Sequence, residues 1–131
     1  MFLNELTAEQ KRAFFVLARQ VIAADERLAL QELVRLEALY HEAQLPPETP
    51  AAPDVVGDLN YMFASTRARA VVVLELLLLV IADASVDRRE LTTVRSIAER
   101  MEVEEEAWGA MRDWVGRYGA LVAEACAFGE A

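Results

Sequence analysis

The stretch VIADASVDRRE, residues 80–90, ends an apolar run and leads into a charged segment, and a similar stretch, VIAADERLALQE, occupies residues 21–32. Four acidic residues keep the same relative places in the two stretches: Asp25 with Asp83, and Glu32 with Glu90. Each stretch indicates a helix, a short turn and a second helix. The pattern therefore predicts two helical hairpins of one design, packed in a single pseudo-symmetric bundle.

Helical periodicity extends outward from both stretches. Apolar residues recur every three or four positions, which predicts helices at about 8–24, 30–44, 54–64, 67–83, 88–101 and from 104 onward. Thr7 and Gln10 form a capping-box pattern before the first helix, and Ser65 or Thr66 is expected to cap the central one. No stretch alternates with period two, so the fold class is all-α.

The chain fits one domain, a helical bundle of about six to seven helices. We place the pseudo-repeats at about 8–48 and 66–106, with a proline-rich connection, LPPETPAAPD, at 45–54. Gly116 and Gly119 predict a kink or break in the last segment, followed by a short helix at about 120–128.

Composition excludes several classes of function. A net charge of −9 argues against nucleic acid or an anionic membrane as the main partner. The apolar run AVVVLELLLLVIA at 70–82 is shorter than the roughly 20 residues of a membrane-spanning helix, so a buried central helix is expected. Its Glu75 should face an Arg from another helix or reach the surface.

The lone Cys126 is expected to be a buried thiol. The N-terminus lacks a secretory pattern, which predicts a cytoplasmic protein.

The repeated acids have both structural and functional interpretations. Glu90 can reach back to a cap residue three positions earlier, whereas the residue in that place before Glu32 is Ala29, which has no capping side chain. Asp25 and Asp83 follow helix C-terminal ends, where the helix dipole disfavours a negative charge. Either hydrogen bonds to turn amides or the binding of a ligand would explain their presence.

The two stretches resemble a known signature. AADERLALQE and IADASVDRRE are similar to the twice-used ADG-x-(I/V)-x-x-x-E motif of the TerB-like, tellurite-resistance-associated helical domains, as are the opening MFLNELTAEQKRAFFVLARQVIAAD and the segment IAERMEVEEEAW. The resemblance implies an all-α bundle, no established catalytic activity and metal-binding acids at Asp25, Glu32, Asp83 and Glu90. The glycine of the motif is replaced by Glu26 and Ala84.

Two hypotheses about function follow, and an enzyme is disfavoured. The first is a non-enzymatic accessory or protein-interaction module with a protein partner or self-association; a broad exposed patch containing Trp114 or Phe128 would support it. The resemblance adds stress or tellurite-resistance-related processes. The alternative is a divalent-cation site, for Ca²⁺ or Mg²⁺, at the four acids. His41 and Cys126 have no partner at a recognisable catalytic spacing.

Overall fold

The computed structural model describes residues 1–23, 30–44, 58–80 and 88–129, without the side chains at 23 and 30–35. The elements in this part are a 3₁₀ turn at Leu3–Glu5, α1 at Ala8–Ala23, α2 at Leu30–Glu42, α3 at Leu59–Met62, α4 at Thr66–Val80, α5 at Arg88–Arg100 and α6 at Glu105–Ala127. No strand occurs among these residues, and the predicted all-α class is confirmed.

The starts of α1 and α4 are fixed by local hydrogen bonds. Gln10 donates its backbone N–H to Thr7 Oγ1 at 3.1 Å, and the Thr7 N–H donates to Gln10 Oε1 at 3.0 Å. Before α4, Ser65 Oγ accepts the N–H of Ala68 at 3.0 Å. These bonds satisfy first-turn amides that have no partner within the helix, and they confirm the predicted capping box and the predicted cap at Ser65.

Helix boundaries recur at the spacing of the sequence pattern. Two pairs of helix boundaries are each separated by 58 positions: the starts of α1 and α4 at Ala8 and Thr66, and the ends of α2 and α5 at Glu42 and Arg100. The pseudo-repeat is an interpretation of the sequence, and these boundaries support it.

The core is built around α4. Every residue from Val71 to Leu77 is buried, Glu75 included, because this helix is apolar nearly all round and must be enclosed by others. It packs against α1, α2, α5, α6 and the 3₁₀ turn. Among the described helices, none is both long and apolar enough to cross a membrane.

The last helix differs from the prediction. A single α6 runs unbroken through Gly116 and Gly119, so the predicted break was wrong. A glycine in a helix interior costs about 1 kcal/mol relative to Ala, but it adopts helical dihedral angles without strain. Trp108 and Val115 bury one face of α6, and this packing offsets that cost. The predicted helix at 54–64 is represented by the short α3, while residues 54–57 lie outside the described part.

Candidate functional site

The four acids predicted to bind metal are described to different extents. Glu90 lies in the first turn of α5 and is buried, at 2% relative exposure. Glu32 lies on α2, with its side chain outside the described part, and Asp25 and Asp83 are outside the described residues altogether. Among the residues described, no three His, Cys, Asp or Glu side chains gather around one possible metal position. Convergence of the four carboxylates therefore stays a prediction.

The residues considered for catalysis lie on the surface. His41 is exposed in the last turn of α2. Cys126 is exposed as well, so the predicted buried thiol was wrong: the end of α6, which carries it, is open to solvent. A cavity of about 320 Å³ lies between the starts of α4 and α6, and its charged lining residues are Arg69, Glu102 and Glu104. Neither His41 nor Cys126 lines it.

Glu75 is a buried carboxylate within the apolar helix α4. It is 1% exposed, and its Oε1 accepts hydrogen bonds from the α-amino group of Met1 at 2.7 Å and from the N–H of Phe2 at 2.5 Å. Glu42 also pairs with the Met1 amino group, at 2.6 Å. The prediction that Glu75 would face an Arg or reach the surface was therefore wrong. A buried carboxylate requires hydrogen bonds and a counter-charge, and Met1 and Phe2 supply both.

The Met1 amino group is in turn affected by the two carboxylates. Its partial burial lowers its pKa, but hydrogen bonds to Glu42 and Glu75 and the charges of both outweigh burial, so the pKa lies above its usual value of 8.0. Glu42 on α2 and Glu75 on α4 thereby hold the positive charge of Met1 between them.

An aromatic cluster attaches the first residues to α6. The Phe2 ring lies 6.1 Å from the ring of Trp114, which stacks on Tyr118 at 5.5 Å. On its other side, the Arg67 guanidinium lies 5.3 Å from the Phe2 ring centre and makes two 2.8 Å hydrogen bonds to Glu5. Hydrogen bonding to Arg67 lowers the pKa of Glu5. Trp114 is therefore only partly exposed, and Trp108 is buried.

The second half of α6 leaves the core. From Ala120 onward every described residue is exposed, including Leu121 at 63%, Val122 at 42% and Phe128 at 79%. Between 119 and 129 the only charged side chain is Glu124. A helical segment that is apolar on most sides is normally buried, and large exposed apolar side chains in a cluster mark interaction sites. Phe128 is thus exposed on the same segment as Leu121 and Val122, as the interaction hypothesis requires.

The solvent-facing side of α6 combines these apolar residues with a charge pair. At about 100° per residue, eight exposed residues fall within about 100° of the helix circumference, and we call them the outer face: Glu106, Ala110, Asp113, Arg117, Ala120, Leu121, Glu124 and Phe128. They point away from Trp108 and Val115, which bury the opposite side. Arg117 also pairs with Asp113 one turn earlier, at 3.0 Å.

Two of these features were not predicted from the sequence. No local pattern indicates Met1 as the partner of Glu75, because the two residues are 74 positions apart. A local pattern does indicate the exposure of the α6 end: the segment GALVAEACAF contains a single charge, and its small residues could not fill a core by themselves.

Searches with protein-family models, among curated proteins and among solved structures each found no match to this chain.

Proposed function

We propose that the chain is a non-enzymatic, TerB-like accessory or protein-interaction module of the cytoplasm, with the second half of α6 as its docking element. The observation that carries the proposal is the exposure of Leu121, Val122 and Phe128 on a helical segment with one charge. Removing apolar surface from water stabilises a complex by roughly 25 cal/mol per Å². A partner that covers this segment would therefore bind with a favourable hydrophobic contribution.

The fold explains why this segment is available. Trp108, Val115 and the contact of Phe2 with Trp114 hold the first half of α6 against the core. The second half continues the same rigid helix past that support. A docking element on a rigid helix loses less conformational entropy on binding than a mobile loop does. The link to stress or tellurite resistance rests on the sequence resemblance.

Photo-crosslinking tests the proposal in cells of the source organism. A photoreactive benzoylphenylalanine replaces Ala125, which is exposed beside the outer face, and in a matched control it replaces Ser96, which is exposed on α5. We expect intermolecular adducts at position 125 and few or none at position 96. Equal labelling at the two positions, or no adduct at position 125, would contradict the proposal.

A divalent-cation site at Asp25, Glu32, Asp83 and Glu90 is the alternative. The recurrence of the four acids at a spacing of 58 positions and the sequence resemblance are what support it. Carboxylate oxygens are the ligands that Ca²⁺ and Mg²⁺ prefer.

A further inference from the structure

The proposed function does not identify the partner, but the charges along α6 favour one kind of partner. From residue 107 to residue 129 the chain carries two basic and two acidic side chains: Arg112, Asp113, Arg117 and Glu124. This region is neutral, although the whole chain has a net charge of −9. Two copies that approach through other surfaces bring like charges together, which is unfavourable. A second copy that approaches the second half of α6 therefore meets less like charge than it would on the rest of the chain.

The order of the charges along the helix matches a second copy running in the opposite direction. Arg117 stands three residues before Ala120, and Glu124 stands three residues after Leu121. When two α6 helices lie antiparallel about a two-fold axis between Ala120 and Leu121, Arg117 of each copy lies opposite Glu124 of the other. A parallel arrangement would place Arg117 against Arg117 and Glu124 against Glu124. We propose, on the basis of the proposed function, that a second copy of this chain occupies the outer face of α6 in an antiparallel pair.

The apolar residues of the face fit the same arrangement. Leu121, exposed at 63%, meets Ala120 of the other copy at the two-fold axis, so a large side chain packs against a small one. An interface of this kind is isologous, with the same patch used on both copies. Phe128 lies toward the end of the pair and covers the turn that contains Asp113 of the other copy.

Two glycines beside the face are consistent with a close neighbour. Gly109 and Gly116 flank the small-residue side of the outer face. Apart from their chain neighbours and the nearby backbone of α6 itself, no described atom lies within 4 Å of a Cβ built at either position. Packing within the described chain therefore does not require glycine there, although each glycine costs about 1 kcal/mol of helix stability. The missing side chains leave room for a second helix to approach.

The size of the face sets the expected affinity. With the two-fold axis between Ala120 and Leu121, residues 113 to 128 of the two copies overlap, which is about 24 Å of helix. One helix pair of this length buries less than the roughly 800 Å² per partner of a typical stable complex. The pair is therefore a reversible dimer, whose population rises over the micromolar range.

Sedimentation of the full chain between about 1 µM and about 1 mM tests the pairing. We expect the weight-average mass to rise from one copy toward two. Arg117→Glu and Glu124→Arg each change two interface pairs by symmetry, so each should raise the dimer dissociation constant about tenfold or more. The double variant R117E/E124R restores the opposite charges and should return the constant to within about threefold of its original value. Arg112→Glu makes the same charge change on another side of α6 and is the matched control.

The outcomes separate this inference from the proposed function. A chain that stays a monomer throughout, while position 125 is crosslinked to other proteins, overturns the pairing and leaves the interaction module standing. A dimer that neither single variant weakens, or that the double variant fails to restore, overturns the antiparallel contact. Absence of both dimer and adducts overturns the pairing and the proposed function together.

Discussion

Gln44 and Glu102 adopt the same left-handed backbone conformation, at φ 61° and 59°, at positions 58 residues apart. Each follows the end of a helix, α2 and α5 respectively. After α5, the N–H of Glu102 donates to Glu99 and the N–H of Val103 donates to Ala98, which is the hydrogen-bond pattern of a Schellman cap. Equivalent helix ends at this spacing support the proposed duplication.

The first prediction concerns this cap. Non-glycine residues pay about 1–2 kcal/mol for the left-handed conformation, so Glu102→Gly should raise the free energy of unfolding by about 0.5–1 kcal/mol after the greater entropy of the unfolded glycine chain is included. Urea unfolding measures the change. Glu99→Gly is the control: it makes the same substitution inside α5 and should lower stability by about 1 kcal/mol. A loss of stability on Glu102→Gly would contradict the account of the cap.

The second prediction concerns the buried carboxylate. Glu75→Gln keeps an oxygen acceptor for Phe2 but removes the charge that pairs with Met1. Breaking a fully buried ion pair costs about 3–5 kcal/mol, and because Met1 is partly exposed we expect a loss of about 1–3 kcal/mol in chemical denaturation. Glu5→Gln breaks the exposed pair with Arg67 and should cost much less. Equal losses for the two variants would show that burial of Glu75 adds nothing to its pairing.

The third prediction follows from the raised pKa of the Met1 amino group. A group whose pKa is higher in the folded state contributes stability that is fully present below its unfolded pKa, here about 8, and that is lost as pH rises through the folded pKa. Thermal unfolding of a chain that begins at Met1 should therefore show a midpoint that falls as pH rises above 8.

A chain acetylated at Met1 is the control for this pH dependence. It lacks the titrating amine, so it should be less stable at pH 7 and should lose less stability than the free-amine chain on going to higher pH. Parallel pH profiles for the acetylated and free-amine chains would exclude the Met1 amine as the group responsible.

The fourth prediction tests the alternative function. If Asp25, Glu32, Asp83 and Glu90 bind Ca²⁺ or Mg²⁺, the ion stabilises the folded chain by about 2.7 kcal/mol at a hundred times its dissociation constant. Thermal unfolding against an EDTA reference measures the shift, and Asp25→Asn/Asp83→Asn should abolish it. The control variant Glu99→Gln/Asp113→Asn removes two exposed acids elsewhere and should leave it unchanged. If neither Ca²⁺ nor Mg²⁺ raises the unfolding temperature of the original chain, the metal hypothesis is wrong.

Local patterns predicted much of the fold. The capping box at Thr7 and Gln10 and the cap at Ser65 are contacts between residues three positions apart, so a sequence reveals them directly. The 3.6-residue period located the starts of α1 and α4 and the ends of α2 and α5 to within two residues. The apolar run correctly indicated a central helix that is buried from Val71 to Leu77.

Features that depend on distant parts of the chain were not predictable in this way. The partner of Glu75 comes from the first two residues, and periodicity does not report which segment reaches a buried acid. The glycines of α6 indicated a break because helix propensity is weak, and tertiary packing overrode it. Cys126 was expected to be buried because alanines surround it, but exposure depends on where the bundle ends.

The central position of α4 has a consequence for how the molecule unfolds. The contacts of α4 with α1, α2, α5 and α6 join the two halves through one shared apolar helix. Because α4 is buried on all sides, the helices before it have no closed core without it. In the same way, α4 to α6 without α1 would leave part of α4 open to water. The chain is thus expected to unfold as one cooperative unit, and neither part is expected to persist as an independent domain after cleavage between α3 and α4.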